Sequence, residues 1–187
     1  MNCQSCGAAL TPIGNRNHMQ CEHCGRFHFP DEPIFRWTST GEPSLYSCPV
    51  CPGQVLDGAL LEGHAVSVCP KCRGLLSDLP VFGHAVASQR SRLKNSSNEQ
   101  PGFDPAELRR GIKCPKCRQR METYPYAGGG NAVVDACDDC QLIWLDAGEL
   151  EVITNYLPTA APRSTCWSPS ATPCDDAFWS LLSGRDT

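Results

Sequence analysis

The sequence predicts a small, mainly β protein stapled by metal, on three observations. Twelve of the fourteen cysteines fall into six Cys-x-x-Cys pairs. Glycine and proline each occur 16 times in 187 residues, while aromatic residues make up only 7%. Such a chain is too poor in large apolar side chains for one big core, and it suits small modules held by something other than apolar burial. Finally, segments of strand character with Gly or Asn between them lie inside each pair of pairs, as a β-hairpin requires. The expected architecture is three tandem zinc ribbons, two with short appended α-helices, followed by a disordered C-terminal tail.

The spacing carries the metal assignment. Two cysteines three apart at a tight turn aim both sulfurs at one ion, and a tetrahedral site needs two such turns face to face. Cys3/Cys6 and Cys21/Cys24 are 14 residues apart, Cys48/Cys51 and Cys69/Cys72 are 17, and Cys114/Cys117 and Cys137/Cys140 are 19. The gaps between units are 23 and 41 residues, so pairing within units closes the shorter loops. Those twelve cysteines are the candidate ligands of three structural Zn2+ sites, four thiolates each. Cys166 and Cys174 have no such partners and are left outside the sites.

Unit one spans 1–36. Ala8 to Ile13 and Asn17 to Cys21 flank Gly14-Asn15-Arg16. Pro30 and Pro33 after the last cysteine discourage a helix, so this unit lacks a helical tail. Unit two spans 45–87, with Gln54 to Leu61 and Ala65 to Val68 around Glu62-Gly63-His64. Unit three spans 112–157, with Arg120 to Tyr126 and Ala132 to Asp135 around a glycine-rich turn at 127–131. Aligning Cys72 with Cys140 places Asp78 opposite Asp146, and both suit a helix N-cap. Glu149 adds a capping-box arrangement, and Pro80 falls in a first turn that tolerates proline. Each helix is expected to pack on its own ribbon, over Leu76 or Trp144.

Residues 88–111 read as a flexible polar linker. Residues 158–187 read as disordered, with a short helix at 175–182 that suits docking. The five histidines are expected to be surface or packing residues, because the thiolates already complete each site.

Units two and three resemble the zinc-ribbon family named for transcription factor IIB. The carrying residues are CPVC…VCPKCRGLLSD and CPKC…ACDDCQLIWLDAGEL. WLDAGEL is typical of the family's bacterial branch. The resemblance implies zinc at Cys48, Cys51, Cys69, Cys72, Cys114, Cys117, Cys137 and Cys140, and a link to transcription. Two departures bear on local turns. Leu142 stands where the family has the glycine kept at Gly74, and Pro52 removes a backbone N–H beside Cys51.

Formal charge is −4, and three four-thiolate zinc sites would bring it to roughly −10. That disfavours generic polyanion binding. Residues 86–120 nevertheless hold nine Lys/Arg against three acids, while residues 121–187 hold two against ten. Nucleic acid, if bound, would meet residues 90–120. Closed thiolate sites imply no catalysis, and no nucleophile-base set or phosphate loop accompanies them. The expected function is therefore a non-enzymatic macromolecular adaptor, with a protein partner engaged through the ribbon helices or the tail and no small-molecule substrate. The alternatives are a nucleic-acid binder, a rubredoxin-like iron electron carrier and a thiol-redox protein. With no leader-like N-terminus and no apolar run near 18 residues, the chain is expected to be cytoplasmic, without a membrane span.

Overall fold

The computed structural model describes residues 1–12, 18–30, 37–92, 103–126 and 132–155. The expected tail, its helix at 175–182, the glycine-rich turn at 127–131 and the turn at 14–16 lie outside these. What is described has the expected three four-cysteine groups, mainly β make-up and two α-helices, with the strands gathered into two sheets rather than three hairpins. Among the described residues no helix is long and apolar enough to cross a membrane.

The first ribbon is a three-stranded antiparallel sheet of β1 (Thr11–Pro12), β2 (Met19–Gln20) and β3 (Phe27–His28). Each strand has only two residues, far too little paired backbone to stand alone. β3 was not anticipated.

Units two and three are not separate beads. Unit two contributes β4 (Thr38–Ser47), β5 (Val55–Leu61), β6 (His64–Val68) and β7 (Leu75–Asp78). Unit three contributes β8 (Glu122–Pro125), β9 (Val133–Cys137) and β10 (Leu142–Leu145). They form one seven-stranded sheet in the order β4-β5-β6-β7-β10-β9-β8. The β5–β6 hairpin turns through Glu62 and Gly63 at φ 51° and 81°, the double left-handed turn whose twist suits flanking strands. The junction is the antiparallel pair β7–β10, in which Trp144 faces Leu76 and Ile143 faces Ser77. Leu76 and Trp144 are also equivalent positions when the units are aligned on Cys72 and Cys140. A pseudo-two-fold axis therefore passes through their pair.

The junction strands bury both faces, so their residues alternate between two cores. Leu75, Ile143 and Leu145 join one cluster with Leu61, Val66, Val134, Phe82, Val86 and Ile153. Leu76, Leu142 and Trp144 join the other, with the cysteines of units two and three, Leu56, Ile112 and Met121. Helices α1 (Leu79–Arg92) and α2 (Glu149–Asn155) cover the first face. Each helix was expected on its own ribbon, but α1 packs against α2, β7 and β10. The Arg90 guanidinium donates to the Ile153 carbonyl at 2.8 Å, which satisfies a free carbonyl near the end of α2. The first turn of α1 is tied to unit three as well, through Leu79 N–H to the Gln141 carbonyl at 2.9 Å. α1 runs through Arg92, past the start of the stretch read as a linker. Its last turn is anchored there, because Arg92 pairs with Glu62 at 2.7 Å and Gln89 donates to Glu62 at 2.6 Å.

A 3-10 turn at Glu107–Arg109 leads to a buried ion cluster. Arg110 donates one amino group to Asp135 and the other to Asp146. Thr123 donates to Asp135, which is fully buried. Burial opposes the Arg110 charge, but the carboxylates of Asp146 and Asp135 more than restore it and raise its pKa. Burial in turn holds the Asp135 carboxyl above the ordinary carboxylate range, even beside Arg110. Arg110→Ala is expected to cost about 3–5 kcal/mol, because two buried carboxylates lose their counter-charge. Denaturant unfolding of the zinc-loaded variant checks this, and a loss below about 1 kcal/mol would show the cluster to be solvated.

Candidate metal centres

The metal centres begin as backbone turns. Each knuckle closes between its first cysteine and the residues just past its second. Cys3 N–H donates to the Ala8 carbonyl at 2.7 Å, Cys21 to Arg26 at 2.9 Å, Cys69 to Gly74 at 2.8 Å and Cys114 to Gln119 at 2.8 Å. The residue after the second cysteine takes positive φ in five of the six knuckles, at Gly7, Gly25, Arg73, Arg118 and Gln141. Proline cannot adopt that conformation. After Cys51 the positive φ therefore moves past Pro52 to Gly53, at 74°. The turn there is one residue longer, closing from Cys48 N–H to the Gln54 carbonyl at 2.7 Å. The expected distortion at Pro52 is thus an insertion, and all four sulfurs still converge.

The structure gathers the twelve cysteines into Cys3/Cys6/Cys21/Cys24, Cys48/Cys51/Cys69/Cys72 and Cys114/Cys117/Cys137/Cys140. Within each group the sulfurs lie within 4.8 Å of one another, and none of the twelve is in a disulfide. Tetrahedral zinc with Zn–S of about 2.3 Å sets its sulfurs roughly 3.8 Å apart. The observed pairs match, with Cys3–Cys24 at 3.6 Å, Cys6–Cys21 at 3.5 Å, Cys48–Cys72 at 3.8 Å and Cys117–Cys137 at 3.6 Å.

The electrostatics point the same way. The Cys48 thiol is pushed up to about 12, chiefly by the sulfur of Cys69 beside it. Cys69 is pulled far down, because Cys48 and Cys72 donate to it. Four thiols this close ionise unequally by themselves, and a dication is what lets all four be thiolates. Backbone N–H groups already point at two sulfurs, from Cys51 to Cys48 at 3.2 Å and from Cys72 to Cys69 at 3.4 Å. The donor set and its geometry thus fit three zinc sites with no ligand position left over.

WLDAGEL turns out to be a local network. The Trp144 indole donates to Asp146 at 2.9 Å, and Asp146 N–H donates to the Glu149 carboxylate at 2.7 Å. The second contact is half of the expected capping box. The Asp146 carboxylate faces Trp144 and Arg110. Gly148 takes φ 88°, and Trp144, Leu145, Asp146, Glu149 and Leu150 are all buried. The motif closes the unit.

The histidines divide. His23, His64 and His84 are exposed, and the rings of the last two lie side by side, tilted by 31° with centroids 5.8 Å apart. His18 is buried between Phe27 and Phe29. His28 comes within 3.2 Å of the Cys3 sulfur through Nε2, a contact missed in the sequence because Cys3 lies far away along the chain. Cys166 and Cys174 lie outside the described residues.

Residues 113–156 match the model of the transcription factor zinc-finger family. The match covers all four cysteines of unit three and the whole WLDAGEL run. No curated protein and no solved structure matches the chain significantly.

Proposed function

We propose that this zinc-ribbon protein is a non-enzymatic macromolecular adaptor, associated with transcription, whose partner is a protein. The observation that carries the reading is the composition of the metal centres. Every corner of each site is a cysteine sulfur, so zinc folds the modules and offers no open position to water or substrate.

The basic stretch supports a protein partner over nucleic acid. Three of its arginines are engaged internally, Arg90 with Ile153, Arg92 with Glu62 and Arg110 with Asp135 and Asp146. Arg109, Lys113, Lys116, Arg118 and Arg120 are exposed, but the half-buried Phe103 is the single aromatic residue among residues 90–120, too few for a stacking platform. The exposed acids Asp138 and Asp139 sit on the opposite knuckle of the same unit. α1 and α2 bury their apolar faces on the sheet and on each other, so partner contact is assigned to segment 158–187 instead. The cytoplasm, which keeps thiols reduced, is the compartment such sites need.

Affinity capture with the full chain, at low and high salt and with 158–187 deleted, tests this. The expected result is one protein partner, retained at high salt and lost with the deletion. Salt-sensitive recovery of DNA or RNA would replace the adaptor with a nucleic-acid binder. Iron in place of zinc, with visible colour, would replace it with an electron carrier.

A further inference from the structure

We propose that the first zinc site is an oxidant-responsive modification site, with Cys6 and Cys24 as its reactive sulfurs and peroxides as the reactant class. The proposal rests on reading the cysteine groups as zinc sites.

The three sites differ in how they present sulfur. All four cysteines of the second site are buried. In the third, Cys114 and Cys137 are buried while Cys117 and Cys140 are half-buried. In the first, Cys3 and Cys21 are 3% and 0% exposed, yet Cys6 and Cys24 are exposed. Thiolate character and access together set oxidation rate. Only the first site combines four cysteine ligands with two exposed cysteine residues. His28 sharpens the contrast. With Cys3 as a thiolate, the His28 ring nitrogen at 3.2 Å donates to it and draws off nucleophilicity. Cys6 and Cys24 are left as the points of attack.

The chemistry closes within the site. The Cys6 thiolate attacks a peroxide oxygen, so an S–O bond forms, the O–O bond breaks and hydroxide leaves. Cys21, with its sulfur 3.5 Å from that of Cys6, then attacks the Cys6 sulfur. An S–S bond forms, the S–O bond breaks and a second hydroxide leaves. Two thiolates have lost two electrons, the peroxide has gained them, and protons from solvent turn both hydroxides to water. Two ligands are gone, and the ion is released. The Cys3–Cys24 pair at 3.6 Å can follow the same course with a second peroxide.

Release has a structural consequence. With two-residue strands, the first ribbon owes its fold to its metal. It lies over the cysteine-rich face of the large sheet, with Phe27 against that core and Phe29 beneath the Arg73 guanidinium at 4.1 Å. A cleft of about 310 Å³ runs along this contact, bounded by His18, Gln20 and Phe27 on one side and by Val50, Arg110 and Asp146 on the other. Oxidation of the first site would lift this cover from the rest of the molecule, while the other two sites keep the sheet intact.

The test uses the full chain, shown by native mass spectrometry to hold three zinc ions. Hydrogen peroxide is added, a chromogenic chelator follows zinc release, and mass spectrometry maps oxidised and alkylated cysteines. The first zinc should leave about tenfold faster than the others, with disulfides Cys6–Cys21 and Cys3–Cys24 appearing first, modification of the third site next and of the second site last. Equal rates at the three sites, or release led by the second site, would overturn the proposal. Fewer than three zinc ions before oxidant is added would overturn the zinc reading itself, which is a separate and distinguishable result.

Discussion

Gly74→Ala is expected to destabilise the zinc-loaded protein by about 3 kcal/mol, and Trp144→Leu to cost much less in that variant than it does in the parent chain. A Cβ at Gly74 would lie 2.2 Å from Trp144 Cζ2 and 2.7 Å from Cη2. The indole cannot step aside. It is fully buried, and its N–H is held by Asp146 at 2.9 Å. Trp144→Leu alone should itself cost about 3 kcal/mol, through the cavity it leaves and the donor it takes from Asp146. Put together, the two changes fill the same space, so the double variant should be more stable than the sum by about 1–3 kcal/mol. Chemical denaturation of the four chains measures that coupling, and simple additivity would show that the contact does not matter. The same contact accounts for the departure at Leu142. The junction brings Gly74 diagonally beside Trp144 and Leu142 diagonally beside Leu76. The large residue has the glycine, and the smaller one has the leucine. Leu142 is thus one half of a volume exchange across the pseudo-dyad.

Cys72→Ser and Cys140→Ser should each damage both units of the large sheet, whereas Cys21→Ser should damage only the first ribbon. A structural zinc contributes on the order of 10 kcal/mol to the module that holds it. β7 follows directly on Cys72, β10 on Cys140, and each strand's outer partner at the junction is the other. Once one unit loses its metal, the neighbouring strand loses its hydrogen-bonded partner and half of both cores. Native mass spectrometry gives the zinc count, and hydrogen exchange reports on β8 and β9 when the lesion is at Cys72. Unchanged protection of β8 and β9 in Cys72→Ser would mean that the units fold independently. The first ribbon meets the sheet through Phe27, Phe29 and Arg73, so Cys21→Ser should leave two zinc ions and the sheet's protection in place.

The metal centres were legible because cysteine spacing acts almost like a covalent constraint. A pair three residues apart is already half a site, whatever surrounds it. The hairpin at Glu62-Gly63 and the start of α1 at Asp78-Leu79-Pro80 were legible for similarly local reasons. The junction was not. LLS and LIWL are short continuous apolar runs, and such runs are what a strand buried on both faces looks like. Taken alone they equally suit a surface beneath a helix, because nothing local says which strand lies alongside. β4 was missed for a different reason. Its sequence, TSTGEPSLYS, contains Gly41 and Pro43, has no alternation and is almost wholly exposed. It is an edge strand held by backbone pairing, with register shifts on either side of Pro43, a common way to blunt an edge. Arg110 looked like one more charge in a basic run. Only the chain path shows that its partners are 25 and 36 residues away.

The pairing of Leu76 with Trp144 also changes what the connection between units two and three must do. Two equivalent strands that meet antiparallel about a two-fold axis form the same contact by which two identical subunits associate, each giving the other the surface it receives. Here both halves belong to one polypeptide. The connecting residues need only keep the halves at high effective concentration, because the orientation is already written into the strands. Tethering also frees the halves from being identical, and tryptophan diagonal to glycine on one side of the axis, with leucine diagonal to leucine on the other, is a packing that a strictly symmetric pair could not adopt.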